Sequence, residues 1–447
     1  MRNRKRAQTI FIMILCLFVM TGCEPTPTPT DVTPTPTATE STTTQPPSGS
    51  VLYPAGHGQL LVKGEFDHLV YSRLLEAGID SEASESTEPE IMLPEGGYVV
   101  TVYLSDTSVY VANVMVEDQV SSVVSPISKP RSFERILESV WDTVVPLGGG
   151  RYLTYGSGGP EFGVPGQKTL EPFFEYGEVW SACPTNDGKV LVFGDAGLKA
   201  YDPTKHQVSL FKSDMLNLDL GMVASIYEAA RCVDATTQFE HDGGLARVGL
   251  SGTELIEWPY YPAYYASGRN GSHLSDAALN TVVVITGNDH AMQADEKIDP
   301  VKLEPSMLVV ADRDLHVHST IALGFRDDIT DVRLSPNGSR VVVQFDEFIS
   351  VFDTVTTDLL YTTPAWWSSF FWVDENRFIY NGEPGTGNIL EANVDRRESY
   401  GLNRDMDVFN PDIAGLFDGF LYVTGSDWAE IEEFEAADRR GYRIAID

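Results

Sequence analysis

Residues 330–363, TDVRLSPNGSRVVVQFDEFISVFDTVTTDLLYTT, constrain the fold more than any other stretch of the chain. The spacing predicts four short strands, Asp331 to Ser335, Arg340 to Phe345, Phe348 to Asp353 and Leu359 to Thr363. Pro336-Asn337-Gly338 reads as the first turn, because Asn and Gly accept the positive φ that tight hairpins need. The three valines after Arg340 suit a strand buried on both faces.

A second stretch repeats this plan. Residues 180–212, WSACPTNDGKVLVFGDAGLKAYDPTKHQVSLFK, carry a turn at Asn186-Asp187-Gly188, then Lys189 and an apolar run. Lys189 to Asp202 and Arg340 to Asp353 are both 13 positions, and an aromatic residue precedes each Asp. The basic opener recurs at Arg151 and Arg377, and the closing Asp at Asp312 and Asp395. A residue repeated in unit after unit reads as scaffold, here a cap on nearby backbone N–H groups. Four-stranded units of about 44 residues, from Trp141 to the end, predict an all-β propeller of about seven blades over 141–447, with six or eight also fitting the length. Trp180, Trp258, Phe370 to Trp372 and Trp428 supply large side chains for packing between units. The turns Asp187-Gly188-Lys189 and Asn337-Gly338-Ser339-Arg340 resemble those of WD-repeat-like propellers, especially the TolB-type repeats of exported bacterial proteins. Units three and four depart from the pattern. Unit three lacks the turn before RCVDATTQF, and unit four carries an insertion, Gly287 to Pro305.

The N-terminus indicates where such a protein resides. Arg2, Arg4, Lys5 and Arg6 precede an apolar run, Ile10 to Met20, too short to cross a bilayer comfortably, and residues 1–23 read as a secretion signal. Val19-Met20-Thr21-Gly22-Cys23 resembles the bacterial lipobox. The resemblance implies that Cys23 is lipidated by palmitate-type acyl chains and becomes the mature N-terminus. Each buried methylene contributes about 0.8 kcal/mol, so several chains hold a protein stably on a membrane. Residues 24–50 form a Thr/Pro tract that cannot bury a core and reads as a disordered stalk. The expected location is extracytoplasmic, lipid-anchored to the bacterial cell membrane or cell surface. A formal net charge of −34 repels nucleic acid, which is excluded as a partner. Of four cysteines, Cys16 lies in the signal and Cys23 is the anchor. An exported compartment permits a disulfide between Cys183 and Cys232, and two buried thiols are the other arrangement.

Residues 51–125 predict a small β-sandwich module with strands at Gln59 to Lys63, His68 to Ser72, Tyr98 to Leu104 and Val109 to Val116. Glu76 to Glu90 reads as an exposed loop. The Leu93-Pro94-Glu95-Gly96-Gly97-Tyr98 turn and the strand count resemble immunoglobulin-like or transthyretin-like modules of the PEGA and carboxypeptidase-regulatory types, which implies a spacer or support. Residues 126–140 read as a linker, with a short helix expected over Phe133 to Trp141.

Few patterns carry chemistry. His316 and His318 alternate and so share one face of a strand, near Asp312 and Asp314. That strand is the outermost of its unit, where polar residues meet solvent, and no metal is assigned. Asn403, Asp405 and Asp407 have the spacing of a calcium loop, but Val408 and Ala414 stand where Gly and Glu are needed. Neither Gly156-Ser157-Gly158 nor Leu250-Ser251-Gly252 fits a nucleophile elbow. No catalytic residue and no cofactor are assigned. The aromatic cluster Trp258, Tyr260, Tyr261, Tyr264 and Tyr265 bridges units three and four, and is the leading candidate for stacking on sugars or receiving a protein. Sealing the seam between two units is its other reading. The insertion after Thr286 ranks second, since long loops in compact folds tend to be functional. The expected function is a membrane-anchored, non-catalytic binding or scaffolding protein that engages a protein or glycan through its propeller face. The alternative is a hydrolase or lyase acting on carbohydrate or peptide in the propeller channel.

Overall fold

The computed structural model describes residues 54–446 apart from 76–77, 81, 141–142, 157–158, 168–169, 174–178, 195–196, 206, 211–230, 234–235, 242–243, 251, 258–273, 287–304, 325–328, 366–368, 383–387, 404–407 and 427–438. The secretion signal, Cys23 and the stalk therefore lie outside the described residues.

Unit five shows how the repeat folds. Its strands are Ile329–Leu334, Arg340–Phe345, Phe348–Asp353 and Leu359–Pro364, paired antiparallel in chain order. Val341, Val342 and Val343 are fully buried, as a strand covered on both faces requires. Gly338 turns the first hairpin at φ +74°, a left-handed conformation that side-chain-bearing residues rarely adopt. The Asn337 side chain accepts the Ser339 N–H at 2.9 Å and so fixes the same turn.

The described residues form six four-stranded sheets, and a seventh four-stranded unit belongs to an eight-stranded sheet. In chain order the units run from Thr143 to Pro172, Val179 to Leu210, Arg231 to Glu257, Ser275 to Gly324, Ile329 to Pro364, Phe370 to Gly401 and Phe409 to Ala445. The first strands of neighbouring units face one another, and Phe409–Phe417 of unit seven packs against Thr143–Leu147 of unit one. The sheets thus close into a ring. The fold is a β-propeller.

Closure uses residues from outside the repeating spans. Unit seven takes three strands from the C-terminus and its fourth from Glu134–Leu137, ahead of unit one. Leu137 lies opposite Gly441, Arg135 opposite Tyr442, and Glu134 opposite Arg443. The helix expected over Phe133 to Trp141 is thereby corrected. The outer edge of Arg440–Ala445 carries backbone groups that need partners, and an extended segment supplies them where a helix could not. Ile136 and Leu137 are 3% and 1% exposed, and Arg443 grips Glu134 with two hydrogen bonds of 2.7 and 2.9 Å.

The N-terminal residues are also tied into the ring. Glu90–Pro94, His57–Val62 and Ser121–Val124 form a three-stranded sheet. The other module strands, Val109–Val116, Gly96–Leu104, Phe66–Arg73 and Ser84–Ser86, extend unit six into the eight-stranded sheet. Val109–Val116 pairs directly with the outer strand of unit six, Glu398–Gly401. Its Asn113 reaches unit five, donating to the Thr362 carbonyl at 2.7 Å and accepting the Thr362 N–H at 2.9 Å. One side-chain amide thus replaces a backbone pair. Leu60, Leu69 and Val102 share a core with Ile379, Ile413 and Ile444 of units six and seven.

Leu137→Ala should lower stability by about 2–5 kcal/mol, because it hollows the seam of the closing unit. Glu134→Ala removes only a rim ion pair and should cost about 0–1 kcal/mol. Urea midpoints at unchanged slope would test both, and equal effects would contradict this account of closure.

Candidate functional site

The recurring Asp residues are placed first, since they could be mistaken for chemistry. Asp202 accepts the N–H groups of Thr204 and Lys205 at 3.0 and 3.2 Å. Asp353 accepts those of Val355 and Thr356, both at 2.8 Å. Asp312 accepts those of Asp314 and His316 at 2.9 and 3.0 Å. Each closes the turn after the third strand of its unit, as the repetition predicts. Unit six departs from the expectation for Asp395. Its cap is Asn393, which accepts the Arg396 N–H at 3.0 Å, while Asp395 binds Arg340 of unit five at 2.6 Å.

A different set of charges crosses the centre, on the first strands of units three to five. Arg231 lies in Arg231–Val233, Asp276 in Ser275–Ala278, and Asp331 and Arg333 in Ile329–Leu334. The Arg231 Nη1 donates to Asp331 Oδ1 at 2.7 Å, and its Nη2 donates to the Ser275 carbonyl at 3.0 Å and lies 3.3 Å from Asp276 Oδ1. Asp276 also accepts Gln238 Nε2 at 3.0 Å and the Leu334 N–H at 2.8 Å. Asp331 Oδ2 accepts Arg333 Nε at 3.0 Å, and Arg333 Nη1 donates to the Phe370 carbonyl of unit six at 2.6 Å. The Arg333 guanidinium lies 4.8 Å from the centre of the Phe370 ring, a cation–π contact. Burial lowers the Arg333 pKa, against the opposing pull of the Asp331 carboxylate.

Arg231, Asp276 and Asp331 are 8%, 3% and 6% exposed, so these charges are held inside the protein and must be paired there. Two guanidiniums and two carboxylates neutralise one another. Both carboxylates converge on Arg231, yet each is satisfied by several donors. The donors are Arg231, Arg333, Gln238 and a backbone N–H, and each carboxylate bonds groups from more than one strand. The set therefore locks units together. Sequence reading missed it because the partners lie 100 residues apart for Arg231 and Asp331. The available signal was charge in strands that should line the centre, RCV, SDAA and ITDVRL.

The disulfide left open by the sequence is present. Cys183 and Cys232 are bonded, with Cα atoms 5.2 Å apart, and tie the first strands of units two and three. Asn403 accepts the Ile389 N–H at 2.7 Å, and Asp405 and Asp407 lie outside the described residues. The structure does bring Asp312, Asp314 and His316 together, with potential ligand atoms within 4.8 Å of one another. Trp372 bridges units, its indole N–H donating to the Arg333 carbonyl of unit five at 3.4 Å.

Trp258, Tyr260, Tyr261, Tyr264 and Tyr265 lie outside the described residues, as do 287–304 of the insertion. The residues that flank the two stretches are described. Leu274, which follows residue 273, accepts the N–H of Ile285 at 2.8 Å, and Ile285 lies just before the insertion. These two bordering residues lie side by side at the end of unit four where its first strand begins. The central charges occupy that end as well, through Ser275 and Asp276.

No protein-family model matches the chain, and no curated protein matches it. Several solved structures are similar. The β-propeller domain of Cps50 (Swd1) from Myceliophteria thermophila is 11% identical with a TM-score of 0.39, over 70% of this chain and 99% of that one. BamB from Moraxella catarrhalis is 10% identical with a TM-score of 0.38, over 71% of this chain and 100% of that one. The extracellular domain of a one-component system from B. thetaiotaomicron is 9% identical with a TM-score of 0.40, over 77% of this chain and 45% of that one.

Asp331→Ala would leave Arg231 and Arg333 buried without their shared carboxylate. It should cost about 3–5 kcal/mol, read from urea unfolding. A loss under about 1 kcal/mol would show that the central charges are not the lock described here.

Proposed function

We propose that the protein is a lipid-anchored extracytoplasmic lipoprotein whose propeller acts as a non-catalytic binding or scaffolding platform for a protein or glycan. One observation carries the binding part of this reading. The aromatic residues and the insertion are the two candidates the sequence offers, and the described residues that border them, Leu274 and Ile285, are hydrogen-bonded to each other in unit four. The aromatic residues Trp258, Tyr260, Tyr261, Tyr264 and Tyr265 supply apolar rings with polar edges, which suit sugar faces and protein hot spots. Among the described residues, the central charges Arg231, Asp276, Asp331 and Arg333 pair with one another.

The anchored part of the reading rests on the basic, apolar and Cys23-terminated leader and on the Thr/Pro tract that follows. The Cys183–Cys232 bond agrees with an oxidising compartment. Several acyl chains on Cys23 would hold the chain at the membrane, and the tract would lift the propeller away from it.

Cys23→Ser should abolish acyl labelling and release the protein from membranes into the medium. Full membrane retention of the variant would refute the anchor. Tyr260→Ala combined with Tyr264→Ala should reduce capture of a partner from envelope extract at least several-fold while thermal unfolding stays unchanged. Undiminished capture would remove the aromatic stretch from the binding face.

A further inference from the structure

We propose that the turn after the third strand of unit four is a surface site for a divalent transition-metal ion of the zinc type. Its ligands would be Asp312, Asp314, His316 and His318. Three elements converge there. Asp312 ends Ser306–Asp312, Asp314 and His316 lie in the following turn, and His318 lies in the outermost strand, Val317–Gly324. The His316 Nδ1 is 3.2 Å and the His318 Nε2 is 3.7 Å from the same oxygen, Asp312 Oδ2. Asp314 joins Asp312 and His316 in a group of three whose ligand atoms lie within 4.8 Å of one another, and His318 adds to it through its approach to Asp312. Metal–ligand bonds of about 2.0–2.1 Å in a tetrahedron place donor atoms about 3.4 Å apart. The Asp312 to imidazole separations bracket that value, and the exposed side chains have room to close the rest.

The other units supply an internal control. The capping Asp recurs at Asp202 and Asp353, but its surroundings do not. In unit two the turn brings its own cation, and Lys205 Nζ lies 2.9 Å from Asp202. In unit five Val355 and Thr356 follow the cap, and the turn from Asp353 to Asp358 contains no histidine. In unit four the one basic residue of the turn, Arg313, is directed away. Its Nε donates to the Leu279 carbonyl at 2.7 Å, and its Nη1 pairs with Glu254. Two carboxylates are thus left beside two imidazoles with no guanidinium or ammonium among the described residues to offset them.

The cap also divides the labour of Asp312. Its Oδ1 accepts the two turn N–H groups, which leaves Oδ2 for the imidazoles. A mixed imidazole and carboxylate set suits zinc, nickel, cobalt or copper, whereas calcium and magnesium prefer oxygen alone. The side chains of His316 and His318 are 76% and 59% exposed, so the ion would remain open to solvent or to a further ligand.

Calorimetric titration of the full chain with zinc chloride should show one equivalent bound. His316→Ala and His318→Ala should each weaken binding by about 10-fold or more. The double variant should lose it, with the metal-free melting temperature unchanged because both side chains are exposed. Calcium chloride should bind far more weakly than zinc. The proposal is overturned if wild type takes up no zinc, or if the double variant binds it as tightly as wild type. Calcium binding equal to that of zinc would also overturn it.

Discussion

Everything in this molecule depends on one strand pairing, Glu134–Leu137 along the edge of Arg440–Ala445. A ring of sheets is only as closed as its last seam. Without this pairing, unit seven would lack its outer strand, and Arg440–Ala445 would lose the backbone partners along its outer side. The partners lie roughly 300 residues apart, but closure entropy grows slowly, by about 0.6 kcal/mol per doubling of the loop. The cost of joining the two ends is therefore modest beside the burial of Ile136, Leu137, Val140 and Tyr422 in one cluster. Closure also fixes the first strand of unit seven against unit one, so the central strands meet all the way round.

At the centre, a second constraint follows from closure. First strands of several units converge there, and their side chains must agree in charge as well as size. Arg231 of unit three reaches past unit four to Asp331 of unit five, while holding Asp276 of unit four on the way. A hydrophobic filling could bury as much area and avoid the desolvation of four charged groups. The charged set adds register. Arg231 must find two carboxylates and a carbonyl at once, which it does only when three units are correctly spaced. The disulfide between Cys183 and Cys232 adds a covalent tie from unit two to unit three.

The repeat itself was legible in the sequence. Strands two and three of unit five, Arg340–Phe345 and Phe348–Asp353, fall where the valine run and the turn residues put them. The capping role of Asp353 follows from its recurrence as Asp202 and Asp312. Both signals are local, set by alternation and turn chemistry within about 15 residues. What sequence reading missed is non-local. Residues 133–141 look helical because a four-residue strand has little pattern of its own, and its reason to be extended is a partner at the other end of the chain. The pairing of the module strand Val109–Val116 with Glu398–Gly401 is not legible either, because nothing local shows that Glu398–Gly401 offers it an edge. Charged residues in RCV and ITDVRL resemble ordinary solvent-facing positions until the ring brings them together. For the candidate site, residue types were legible at His316 and His318, and the diversion of Arg313 was not.

Unit four is where scaffold and function separate. Its second and third strands, Thr281–Thr286 and Ser306–Asp312, pair in the ordinary antiparallel register. The insertion leaves and returns at one end of that pair, beside Leu274 and the central charges. The Asp312, Asp314, His316 and His318 turn lies at the other end of the same pair, where Thr281 is opposite Asp312. Asp312 caps that turn through Oδ1 and meets the imidazoles through Oδ2. A ring rigidified by closure, central charges and a disulfide holds the two ends of the Thr281–Thr286 and Ser306–Asp312 pair at a fixed separation. A small or flexible fold could carry either group of side chains, but only a stiff one keeps a relationship between them.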